Sequence, residues 1–203
     1  METPSPIEFW FDFSSGYAYF ASLGAEALGE RVGRRVLWRP YMLGAAFEVT
    51  GSQNLSSTPL KKDYAWKDWK RIASSLRVPF DPPSSHPATA LAATRAFYWI
   101  EERAPDRASV FAASVFRVYY TGLLDTASPE AVAVHAEATV GVRAGDVLLG
   151  IADPNLKIRV REKSDEALSK GVFGSPFFIV DEEPFWGWDR MGMMERWISA
   201  GGW

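Results

Sequence analysis

The stretch FDFSSGYAY, residues 11–19, runs from an alternating apolar segment straight into a helical pattern, and its reading decides the fold. Upstream and through it, Ile7, Phe9, Phe11 and Phe13 alternate with Glu8, Trp10 and Asp12. That period of two predicts a strand with one strongly apolar face. Over residues 17–28, Phe20, Leu23, Ala27 and Leu28 return at helical spacing, and Ser14 or Ser15 is placed to cap that helix. Residues 36–41 read as a second strand. The three elements form a β-α-β unit, right-handed if the strands are parallel. A strand-to-helix joint at the start of a small α/β domain is a common place for chemistry, so the pair Ser14–Ser15 calls for a reason.

Working outward, residues 44–50 predict a helical turn, and GSQNLSSTPLKK, residues 51–62, is a polar loop of the kind often used for binding. A helix is expected over 63–76. The prolines of VPFDPPSSHP, residues 78–87, then forbid a regular helix or a central strand. Helical patterns follow over 89–103, 106–120, 129–140 and 155–170. Strand character returns only at 177–180, followed by a turn at DEEP and by Phe185 and Trp186, which together predict a hairpin. Residues 189–200 close the chain as a helix. This order describes an α/β, thioredoxin-like fold with a helical domain inserted between β-α-β and β-β-α halves. Residues 1–43 and 172–203 form the thioredoxin-like domain, and 44–171 the insertion.

Composition narrows the function. The chain of 203 residues is long enough for one sizeable core, and 47% hydrophobic against 23% charged residues argues against disorder. A net charge of -3 leaves no basic footprint for nucleic acid. No apolar run is long enough to span a bilayer, and METPSPIEF lacks the basic-then-apolar pattern of a secretory signal, so no membrane contact and a cytoplasmic location are expected. Zero cysteines exclude disulfides, a CxxC pair and a protein thiol nucleophile, so any thiol chemistry must use a thiol carried by a ligand. His86 and His135 have no ligand-like neighbours at metal-site spacing, and no metal is expected. Nine tryptophans are unusual, and core packing is their expected role, Trp10, Trp186 and Trp188 included.

Ser175-Pro176 directly precedes a strand that should be buried, where proline cannot donate to the ladder. A cis bond would account for it by turning the chain sharply and leaving the backbone N–H and C=O of Ser175 for a ligand; an ordinary trans proline is the alternative.

FDFSSGYAYFAS (11–22), PLKKDYAWKDWKRIA (59–73), GVFGSPFFIV (171–180) and FWGWDRM (185–191) together resemble the 2-hydroxychromene-2-carboxylate isomerases and the kappa-class glutathione transferases, within the DsbA-like group. The resemblance covers nearly the whole chain. It implies glutathione as cofactor, which agrees with the missing cysteines. It also implies that Ser15 faces the glutathione sulfur, where a hydroxyl donor at the positive end of a helix favours thiolate over thiol. Ser14 would then cap or support the turn; the alternative is that both serines are only caps.

By the same resemblance Ser175, before Pro176, would pair its backbone with the cysteinyl part of glutathione. Asp189 would hold the γ-glutamyl ammonium group, a role compatible with capping the last helix. Trp188 stands where relatives carry a small or amide residue and would serve through its backbone. Lys61, in the relatives' Pro-x-Lys-x-x-Tyr spacing between Pro59 and Tyr64, would meet the glycyl carboxylate, unless it is a solvated loop charge. Asn54 matches the relatives' asparagine only with a gap, since Ser52 falls there without one. Relatives carry proline after the active serine; Gly16 stands there in this chain and predicts a looser loop.

The implied activity is a glutathione-dependent isomerase of an aromatic, unsaturated 2-oxo acid. The alternatives are a kappa-type glutathione transferase or peroxidase, and a non-catalytic binding protein of the same fold. The expected partners are a small-molecule substrate and, as relatives are commonly dimers, a second copy of the chain.

Overall fold

The computed structural model describes residues 4–203. Strand β1 (Ile7–Phe11) lies inside a four-stranded sheet of order β2-β1-β3-β4. It pairs in parallel with β2 (Val36–Pro40) and antiparallel with β3 (Phe177–Val180), which pairs antiparallel with β4 (Glu183–Trp186). Between β1 and β2 the single expected helix is two, α1 (Gly16–Ser22) and α2 (Ala25–Val32). Between β2 and β3 come seven helices: α3 (Leu43–Thr50), α4 (Lys61–Leu76), α5 (Leu91–Arg103), α6 (Pro105–Tyr119), α7 (Pro129–Val140), α8 (Ala144–Ala152) and α9 (Pro154–Ser169). A 3-10 turn, Trp188–Arg190, leads into α10 (Met191–Ala200).

Local chemistry sets several of these boundaries. The Ser128 and Asp153 side chains accept from backbone N–H groups of α7 and α9, and proline opens α6, α7 and α9, where its missing N–H costs no helical bond. Asp181 and Glu182, both at positive φ, make the tight turn between β3 and β4. Arg34 holds that turn with two hydrogen bonds to the Asp181 carboxylate, 2.8 and 2.7 Å.

The sheet is covered on both faces. Phe9 and Phe11 pack with Trp38, Phe97, Phe116 and Phe178 in a core that runs without a break from the sheet into the helices. Trp10, on the opposite face, is fully buried with Tyr41, Ala46, Ala167, Val172 and Phe177. Core packing therefore accounts for Trp10, Trp38 and Trp69, but Trp188 is half-buried and Trp186 is 58% exposed. No helix among the described residues is long and apolar enough to cross a membrane.

Candidate active site at the strand-helix joint

The joint after β1 is organised by Asp12. Its carboxylate is buried and accepts from Ser14 N–H at 2.8 Å, Ser14 Oγ at 2.7 Å and Leu43 N–H at 2.9 Å. Burial pushes this carboxyl up from the ordinary aspartate range, and the hydrogen bonds from Leu43 and Ser14 oppose that rise. Asp12 thus ties the end of β1 to the start of α3. Its own N–H donates to Ser175 Oγ at 2.8 Å, which brings in the loop before β3.

Within this frame the structure decides between the alternatives expected for the two serines. Ser15, not Ser14, caps α1, accepting from Ala18 N–H at 3.3 Å, while Ser14 is turned back onto Asp12. The Ser15 hydroxyl also donates to the carbonyl oxygen of Ser175 at 2.7 Å. The Ser175-Pro176 bond is cis, as is His86-Pro87. The Ser175 carbonyl is consequently not free, as the cis proline alone suggested: one of its lone pairs faces the Ser15 hydroxyl and one remains. One residue earlier, the carbonyl of Gly174 accepts from the buried Tyr41 hydroxyl at 2.8 Å.

Around this joint opens a cleft of about 980 Å3. Ser15, Asn54, Lys61, Ser175, Pro176, Trp188 and Asp189, drawn from four distant segments of the chain, all line it, and so does Ser52. Lys61 is the first residue of α4 and is exposed; its backbone N–H donates to Pro59 O at 2.8 Å and that of Lys62 to Thr58 O at 2.9 Å. A cation there opposes the helix dipole, and an anionic group beside the Lys61 ammonium would relieve that. Asn54 spends its side-chain oxygen locally, accepting from Ser56 N–H at 3.0 Å and Ser56 Oγ at 2.7 Å, which leaves its NH2 group as the donor.

At the other end of the cleft, Asp189 lies within the 3-10 turn, and α10 starts without a side-chain cap, so the expected capping role is not the one it plays. Its side chain is 58% exposed, with Arg190 Nη1 at 3.5 Å. Gly187, at φ 113°, gives it room: a Cβ on Gly187 would sit 2.5 Å from Asp189 Oδ1. Trp188 packs its ring near Phe20. Its indole supplies no amide function to the cleft.

Gly16 does not loosen the loop. It is buried beneath the ring of Trp69, from α4, which lines the same cleft together with Tyr17, Asp68 and Ile72. Among the described residues there is no group of histidine, cysteine or acidic side chains that could hold a metal. Sequence reasoning passed over Asp12 and Trp69. The Asp-x-Ser spacing of an Asx turn was a signal for the first, whereas nothing local announces the second.

Residues 6–199 match the family model of the DSBA-like thioredoxin domain. The chain is similar to a 2-hydroxychromene-2-carboxylate isomerase of Sphingobium xenophagum, with 27% identity over 195 residues that cover 95% of this chain and 97% of that protein. A solved 2-hydroxychromene-2-carboxylate isomerase superposes with a TM-score of 0.85 at 22% identity, covering 96% of this chain and 94% of the other. A probable DsbA oxidoreductase of Streptomyces coelicolor gives 0.77 at 17% identity, covering 96% and 88%. The cytosolic disulfide reductase DsbM of Pseudomonas aeruginosa, solved with GSH, gives 0.64 at 15% identity, covering 97% and 96%. These structures share the fold described above.

Proposed function

The chain belongs to the DSBA-like thioredoxin-domain family, and from that premise we propose that it is a glutathione-dependent isomerase, acting in the cytoplasm on an aromatic, unsaturated 2-oxo acid of the 2-hydroxychromene-2-carboxylate type. The observation that carries this reading is the convergence of Ser15, the Ser175 backbone, Lys61 and Asp189 on one cleft in a chain without cysteine. The similarity to an isomerase along 95% of the chain supports the reaction type.

The donor set fits the tripeptide group by group. The Lys61 ammonium suits the glycyl carboxylate, Asp189 suits an ammonium group, and the remaining lone pair of Ser175 O suits a peptide N–H. Bound glutathione would supply a thiolate nucleophile that adds reversibly to a conjugated double bond, with no change of redox state.

The part of Ser15 is to hold that thiol ionised. For this its hydroxyl hydrogen swings from Ser175 O into the cleft, and a ligand N–H arriving on Ser175 O takes its place as donor. The N-cap contact to Ala18 N–H uses an acceptor lone pair and survives the swing. Ser15 also stands at the positive end of α1, which favours negative charge at the same point. Asp12 contributes by holding Ser14 and the start of α3 in place.

Calorimetric titration with glutathione tests the cofactor, and saturable binding is the expected result. Following a conjugated aromatic 2-oxo acid by NMR, with and without glutathione, tests the reaction. Isomerisation that needs catalytic glutathione supports the proposal, while release of a stoichiometric glutathione adduct would make the protein a transferase.

A further inference from the structure

Gly16 adjoins Ser15 and forms the first turn of α1, and a side chain there has no room. A Cβ built on it would lie 2.6 Å from Cε2, 2.9 Å from Cδ2 and 3.0 Å from Nε1 of Trp69. Gly16 is not among the residues at positive φ, so its backbone would accept an L side chain. The demand for glycine comes from the indole, whose atoms are the nearest to that position. Trp69 is 3% exposed and wedged among Tyr17, Trp66, Phe80 and His86, with ring centroids 5.5–6.0 Å away. Its Nε1 is buried without a hydrogen-bond partner, so shape rather than a polar bond sets its place. Beside it, Asp68 accepts from the Tyr17 hydroxyl at 2.9 Å and fastens α4 to α1 a second time.

We propose that Trp69 is a positioning residue: its indole occupies the side-chain space of position 16, clamps the first turn of α1 and so aims the Ser15 hydroxyl. The inference rests on the reading of Ser15 as the group that faces a bound thiol. Because the same helix begins at Lys61, the clamp also fixes the distance between the group that would meet the thiol and the one that would meet the glycyl carboxylate. A proline after the serine would restrict that turn through its own ring; here the restriction is supplied from another helix.

The test is a double-substitution cycle with Gly16→Ala, Trp69→Leu and the pair. Two readouts are used: the thermal midpoint without glutathione, and the thiolate absorbance of bound glutathione against pH. Gly16→Ala alone should lower the midpoint and, by misaiming Ser15, reduce the thiolate fraction near neutral pH, with turnover falling roughly tenfold as expected for overpacking. In the Trp69→Leu background the same substitution should be nearly silent in both readouts, a clear departure from additivity. Trp69→Phe, which keeps an aromatic ring, should retain most of the thiolate fraction. Additive midpoints would overturn the steric clamp. Coupled midpoints with unchanged thiolate titrations would overturn the aiming of Ser15 and leave Trp69 a packing residue. Failure of the wild type to bind glutathione would refute the functional reading itself, and the midpoint cycle, which needs no ligand, tells that failure apart.

Discussion

Replacing Ser15 with alanine removes one oxygen that makes three separable contributions. As the cap of α1 it satisfies Ala18 N–H, and losing a serine cap costs about 1 kcal/mol. The bond to Ser175 O adds a net contribution of about 1 kcal/mol, because the carbonyl is left short of a donor. Ser15→Ala should therefore lower stability by about 2 kcal/mol, which for a chain of this size is a fall of roughly 4–8 °C in Tm. If the hydroxyl also donates to a bound thiolate, a charge-assisted bond of about 1.5–3 kcal/mol disappears. Turnover should then drop roughly tenfold to a hundredfold, and the pKa of bound glutathione should rise by about one to two. Differential scanning calorimetry measures the first effect, and thiolate absorbance against pH measures the second. A variant with the expected Tm loss and a wild-type thiol titration would refute the catalytic part of the reasoning and leave Ser15 as cap and tether. An unchanged Tm would refute the structural part.

Three other outcomes follow from the site and its surroundings. Lys61→Ala should weaken glutathione binding only two- to fivefold, because the ammonium is exposed, and calorimetry should show that the variant no longer prefers glutathione over its glycyl amide. Asp189→Asn should reduce affinity for glutathione but leave Tm within about 1 °C, since the residue caps no helix; a fall of several degrees would contradict the position found for it. His86 is half-buried beside Trp66, Trp69 and Tyr120, and its partial burial lowers its pKa to about 4. The unfolded chain, with an ordinary histidine, binds the proton first, so stability should be full above about pH 7 and decline between pH 6.5 and 4 by roughly 2–3 kcal/mol. Urea unfolding at pH 7 and pH 4.5 should show this decline in the wild type and a smaller one in His86→Gln.

Elements whose information is local were legible. The alternation through Phe11, the helical spacing over 129–140 and 155–170, and the DEEP turn each act within a few residues. What escaped depends on distant neighbours. Helix α8, AGDVLLGIA, has two glycines in nine residues and no side-chain cap, so propensity argues against it. Packing overrides that, and Gly150 is there because Trp99 of α5 lies where its side chain would be, 2.0 Å from a built Cβ. The break between α1 and α2 at Leu23–Gly24 was hidden by an apolar spacing that continues across it.

The site shows the same division. The seven anticipated residues, six of them from the motif pieces and Asn54 from the polar loop, line one cleft. The motif pieces could not reveal that the Ser15 hydroxyl already serves Ser175, that Asp189 lies ahead of its helix, or that an indole from α4 dictates Gly16, because each is a contact between segments far apart in the chain.

The placement of β1 between β2 and β3 also bears on how the molecule comes into being. Its first partner ends at Pro40, but its second begins only at Phe177, so one flank of the most aromatic strand in the sheet has no ladder until nearly the whole chain is available. The entropy of closing so long a loop grows only with the logarithm of its length, about 0.6 kcal/mol per doubling, so the burden falls on time more than on final stability. During synthesis IEFWF must wait, half-paired, while seven helices form after it. Its open edge is the point at which a nascent chain of this kind is most exposed to aggregation, and at which a holding chaperone would act to most effect.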